Sequence, residues 1–268
     1  MGKSRRQPAS ARAGGHPRCA VRRAALLVAV LAVGSATACG SGGTAAAGSH
    51  PDRLPSGGEA VRLDPADFTV DITNRYWPMA PGQTWVYEET DGDGAVTHDE
   101  VAVLGTTDTI DGIEARVVHD VATRDGQTVE DTTDWYAQDS TGNLWYLGEQ
   151  TAEYQDGRVS STEGSWKAGV DGGQAGIALP AEPRPGTSYR QEHLPGVAED
   201  RALVLSTDER VQTPTGTYSG ALLTRDTSPL EPDLVELKWY VPDVGPVLTL
   251  TPSGEVSREV LVQAPAGG

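Results

Sequence analysis

The chain has 268 residues, 38 acidic against 21 basic, and a formal net charge of −17. That length holds one large domain or two small ones. So acidic a surface repels nucleic acid and anionic headgroups, so no nucleic-acid partner is expected.

Residues 1–38 differ in kind from the rest. They carry seven basic residues and no acidic one, and they close with "AALLVAVLAVGSATA". A charged region, an apolar run and a small-residue end make up a secretory signal, and the run is short for a membrane span. Cys39 follows directly, so residues 1–38 read as a lipoprotein signal peptide with Cys39 as the lipidated residue, carrying diacylglycerol and palmitate-type chains. The expected membrane partnership runs through that lipid, on the extracytoplasmic face. The Arg22-Arg23 pair lacks the context of twin-arginine export. The other cysteine, Cys19, lies in the signal, so a mature chain acylated at Cys39 has no thiol for a disulfide, metal site or nucleophile. Loss of the seven basic residues leaves 14 against 38 acidic ones, a net charge of −24.

Residues 39–63 are rich in Gly, Ser, Ala and Pro without apolar period, and read as a flexible tether reaching roughly 25–30 Å. One folded domain is expected over 64–268, with a short helical turn possible at its start. β signals then dominate: "TWVYEET" (84–90), "DEVAVLG" (99–105), "EARVVHDVAT" (114–123), "EDTTDWYAQ" (130–138) and "NLWYLGE" (143–149), with Asp-Gly turns between them. "SYRQEHL", "RALVLSTDERV", "SGALLTRDT", "LVELKWYVP", "PVLTLTP" and "EVSREVLVQA" continue the pattern.

The halves align. "PGQTWVY" (81–87) matches "PGTSYRQ" (185–191), "AVLGTTDTI" (102–110) matches "LVLSTDERV" (203–211), and "DWYAQDSTG" (134–142) matches "KWYVPDVG" (238–245). The offsets of 104, 101 and 104 point to a tandem repeat over about 76–160 and 184–262. The expected fold is therefore all-β: two related antiparallel meanders in one strongly curved sheet or incomplete barrel, the alternative being a two-sheet β-sandwich.

"DSTG" (139–142) reads as a four-residue hairpin loop. That register sets Tyr136 opposite Trp145 and Trp135 opposite Tyr146, so each face receives one Trp and one Tyr and both faces are covered. A Gly-rich connector, 161–186, joins the halves. It carries Trp166, Lys167 and Asp171 and is longer than a link requires; it either wraps a sheet edge with Trp166 plugging the core or binds something across the junction with Trp166 at one mouth of the sheet.

Catalytic signatures are absent from the sequence: no GxSxG, Walker loop, HExxH or dinucleotide fingerprint. The histidines show no metal-ligand spacing, and "DGDGAVTHDE" (91–100) reads as a hairpin turn rather than a calcium loop. No cofactor and no metal are expected. Charges alternate on presumed central strands, Arg190 with Glu192 and Glu236 with Lys238 and Tyr240, marking a polar groove or a solvated face.

"DTTDWYAQDSTGNLWYLGE", "STEGSWKAGVDGGQAGIALPAEPRPGTSYRQE" and "LEPDLVELKWYVPDVGPV" resemble an uncharacterised family of bacterial secreted proteins and lipoproteins. The matching positions are Trp135, Tyr136, Asp139, Gly142, Trp145, Tyr146, Trp166, Gly169, Asp171, Tyr189, Arg190, Glu192, Glu236 and Tyr240. The resemblance implies an envelope location and no known activity. The expected function is non-enzymatic binding or carriage of an apolar or amphipathic ligand, or of an envelope protein. The alternative is a carboxylate-dependent hydrolase acting on an envelope or extracellular substrate.

Overall fold

The computed structural model describes residues 54–265; the signal and Cys39 lie outside them. A 3-10 turn at Pro65–Asp67 leads into β1 (Phe68–Thr69), which pairs with β5. A meander follows: β2 (Thr84–Asp91), β3 (Val96–Ile110), β4 (Ile113–Arg124), β5 (Gln127–Asp139) and β6 (Leu144–Gln155). The strands end where Asp-Gly pairs take the left-handed conformation that two-residue hairpins require. Asp111 and Gly112 join β3 to β4, and Asp125 and Gly126 join β4 to β5.

β7 (Arg158–Ser161), β8 (Trp166–Lys167) and β9 (Gln174–Leu179) all pair with β6, so the connector is built onto the sheet. The chain then forms β10 (Ser188–Arg190) and β11 (Glu192–His193). A second meander closes it: β12 (Arg201–Thr213), β13 (Gly216–Thr227), β14 (Val235–Val241), β15 (Gly245–Ser253) and β16 (Ser257–Gln263).

β16 pairs with β2, which fuses the two meanders into one antiparallel path, β10-β12-β13-β14-β15-β16-β2-β3-β4-β5-β6-β9-β11. The curved-sheet expectation holds, and the two-sheet sandwich does not. The ends of this path, β10 and β11, are separated in sequence by Gln191 alone. The sheet has therefore curled until its two edges meet, without closing into a barrel. Curling disposes of edges that would otherwise stay open to pairing. The halves also share local geometry. Gly82 N–H donates to Val103 O and Gly186 N–H to Val204 O; Val103 N–H donates to Gln83 O and Val204 N–H to Thr187 O. These bonds recur at the offsets of the aligned sequences.

Arg190 holds the seam. Its guanidinium donates to Gly57 O (2.6 Å), Glu59 O (2.7 Å) and Ala175 O (3.2 Å), while its backbone N–H donates to Pro55 O. The segment read as tether is thus docked from Leu54 onward, with Leu54, Val61 and Leu63 packed against the core. Each carbonyl presents a directed lone pair to the buried cation, and the charge of Glu59 favours it as well. Gly176 makes the approach possible: a Cβ there would lie 2.3 Å from the carbonyl carbon and oxygen of Gln191.

The aromatic hairpin departs from expectation by one residue. Asn143 belongs to the loop, its carbonyl accepting from Asp139 N–H, so Gln138 pairs with Leu144 and Tyr136 with Tyr146. A one-residue slip moves every side chain to the other face. Both tyrosines consequently share the concave face, stacked with centroids 4.9 Å apart, and both tryptophans share the other. Each face is still covered: Trp135 is 4% and Trp145 1% exposed. Truncating either tryptophan to alanine should cost about 3–5 kcal/mol in a denaturant titration, as for core aromatics. A loss under about 1 kcal/mol would mean that the outer face is wet.

Candidate functional site

Ladder partners point to the same face of a sheet, so register alone says which side chains meet inside the curl. Lys238 on β14 pairs with Thr249 on β15, which pairs with Glu259 on β16. Tyr87 on β2 pairs with Asp99 on β3, and Val101 with Asp120 on β4. Val118 pairs with Asp134 on β5, and Asp134 with Glu149 on β6. All of these line one cavity of about 300 Å³, together with Trp77, Gln191, Glu192, Asp200 and Tyr240.

One wall is aromatic. Trp77 lies 5.5 Å from Tyr136, Tyr136 stacks on Tyr146, and Trp166 meets Tyr146 edge-on at 5.6 Å. The rest is acidic, with seven lining carboxylates against one lysine. Lys238 is engaged by Glu236 (2.9 Å) and Asp226 (3.3 Å). Burial opposes its charge, but those two carboxylates outweigh burial and raise its pKa further.

The acids shift upward, because burial in a low dielectric disfavours the charged form. Asp134 is pushed up to about 7 by burial, against the hydrogen bond its carboxylate accepts from the Tyr146 hydroxyl (2.5 Å). Glu259 reaches about 8 through burial and the charge of Asp99. Burial raises Asp120 as well, helped by its hydrogen bond to Asp99.

Of the residues singled out from sequence, Tyr136, Tyr146, Glu192, Lys238 and Tyr240 line the cavity. Trp166 stands behind that wall, its indole N–H donating to Glu192 at 2.8 Å, and Glu236 acts through Lys238. The others lie elsewhere. Trp135 and Trp145 are on the outer face. Lys167 sits over the Trp135 ring, 4.0 Å from its centroid, reaching across Gly148. A side chain at Gly148 would meet the Trp166 carbonyl oxygen at 2.5 Å. Asp171 occupies an exposed turn at φ 51°, and Arg190 is spent on the seam. Sequence reasoning missed Trp77, Asp99, Asp120, Asp134, Glu149 and Glu259. Their signal was present: Asp134 stands two residues from Tyr136, and Glu259 two from the fully buried Leu261, which puts acid and apolar side chains on one face.

Asp139 has a structural role. Its carboxylate accepts from Thr141 N–H and hydroxyl, Asn143 N–H and side-chain amide, and Trp145 Nε1 (2.8 Å). Burial would raise its pKa, but these donors outweigh burial and lower it. No group of three His, Cys, Asp or Glu able to hold a metal occurs among the described residues. A second cleft, of about 600 Å³, opens outside the seam between Leu54, Asn143, Pro180 and Thr187, with Glu182 as its charged lining residue.

No protein-family profile matches the chain, and no curated protein does. Two solved structures are similar. One is a lipoprotein candidate of Parabacteroides distasonis, 14% identical over 71% of this chain and 98% of its own, with a TM-score of 0.39. The other is a candidate exported protein with a YmcC-like fold from Bacteroides fragilis, 16% identical over 71% of this chain and 99% of its own, with a TM-score of 0.42.

Two predictions concern pH. Asp139 has a folded pKa below its unfolded value, so its contribution is complete above about pH 4 and is lost as pH falls through the folded pKa. Asp139→Ala should cost about 3 kcal/mol at pH 7, measured by urea titration, and the loss should shrink in acid. Asp134 has the opposite sign. Its folded pKa of about 7 exceeds the unfolded one, so its favourable contribution is present below about pH 4 and is lost as pH rises to 7. Asp134→Asn should gain about 2 kcal/mol relative to wild type between pH 5 and 8. An unchanged difference across that range would contradict this.

Proposed function

We propose that the protein is an exported, lipid-anchored and non-enzymatic binding domain that carries a small amphipathic ligand inside its curled sheet. One observation carries the reading: a concave interior of about 300 Å³ where Trp77, Tyr136, Tyr146 and Tyr240 meet convergent polar groups from eight strands and the loops between them. Small-molecule sites have this make-up, apolar surface with a few placed polar groups, at volumes of roughly 300–1,000 Å³. The wholly apolar version of the expected ligand fits poorly, because carboxylates facing it would lose water without gaining partners. Export and anchoring rest on the basic, apolar and small-residue order ending at Cys39.

A hydrolase reading draws on Asp134 and Glu259, carboxyls that hold protons near neutral pH as a general acid does. Carriage is favoured because the Asp134 carboxylate is already engaged by the Tyr146 hydroxyl.

Native mass spectrometry of the protein purified from its own cells tests the carrier reading. A small molecule of defined mass should leave with the wild type and be depleted in Tyr136→Ala. Ligand-free protein under gentle ionisation would contradict it. For anchoring, fatty-acid labelling should vanish in Cys39→Ala, and labelling equal to wild type would remove that claim.

A further inference from the structure

We propose that the ligand is an organic ammonium cation with a flat apolar body, its charge among Asp99, Asp120 and Asp134 and its body on the rings of Trp77, Tyr136 and Tyr146. This deepens the carrier reading and rests on it. Three independent features converge. The first is net charge: the lining's lysine is already neutralised by Glu236 and Asp226, so the remaining interior field is negative and selects against anions. The second is the aromatic wall, whose ring faces attract a cation through their quadrupoles.

The third is a set of acceptors without donors. Asp226 is 4% exposed and shares the interior face with Glu236 by register. Its Oδ2 accepts from Lys238 and from Gln191 (3.2 Å), both lining residues, while its buried Oδ1 has no hydrogen-bond partner. Asp99 Oδ1, in the lining, is buried without a partner too. Buried acceptors left unpaired are costly and rare. An ammonium supplies three donors and no acceptor, the complement of Asp99 Oδ1 in the lining; Asp226 stands behind Lys238 and Gln191, outside it. A metal ion is the poorer fit, because no group of three His, Cys, Asp or Glu among the described residues could hold one.

Phenethylamine and its uncharged isostere 2-phenylethanol separate charge from shape, using calorimetric titration of the purified full-length protein at pH 8. The amine should bind at least tenfold more tightly than the alcohol, and Asp134→Asn should reduce that preference fivefold or more. Asp134 accepts from Tyr146, which an amide oxygen can also do, so the variant keeps its fold; thermal melting checks this. Equal affinity for amine and alcohol would overturn the cation claim while leaving the carrier reading standing. Binding of neither would overturn the proposal, and a ligand still found by native mass spectrometry would then belong to another chemical class.

Discussion

Everything about this molecule depends on how a long antiparallel sheet ends. A path running from β10 to β11 would leave two edges open, and open edges recruit other chains. Here both edges are consecutive chain on either side of Gln191, and Arg190 fastens them. Its guanidinium takes carbonyls from the docked segment at Gly57 and Glu59 and from β9 at Ala175, so one side chain ties together three pieces distant in sequence. The cation is met by carbonyl dipoles, and the nearby Glu59 carboxylate also favours its charge.

Because the edges meet, the concave face becomes a partly enclosed cavity. Side chains that a flat sheet would present to water are brought within reach of one another. The rise in the pKa of Asp134 and Glu259 is a direct consequence, since burial and mutual proximity both disfavour charge.

The strands were legible in the sequence because their evidence is local: β-branched and aromatic runs, period two, and Asp-Gly pairs that admit left-handed backbone at Asp111 and Asp125. The hairpin at Asp139 was legible but one residue out, because Asn143 spends its side chain on the Asp139 carboxylate and so joins the loop. That slip reassigned the tyrosines to the inside and the tryptophans to the outside. The interior acids were hidden for a different reason. An acid that shares a strand face with apolar residues, as Asp99 does with Val101 and Val103, is not placed in a common interior until the curl of the whole sheet is known. The polar cluster around Lys238, by contrast, was visible, since charge on a central strand asks for a partner. Lys167 and Asp171 drew attention by composition, yet neither side chain lines the interior.

Hydrogen–deuterium exchange on Arg190→Gln tests most directly whether that seam creates the interior. Exchange should quicken in residues 54–61, β9, β10 and β11, while β15, β16, β2, β3 and β4, in the middle of the path, keep wild-type protection. Wild-type protection at β9 to β11 in the variant would contradict the account, because the edges would then be held together by something other than Arg190.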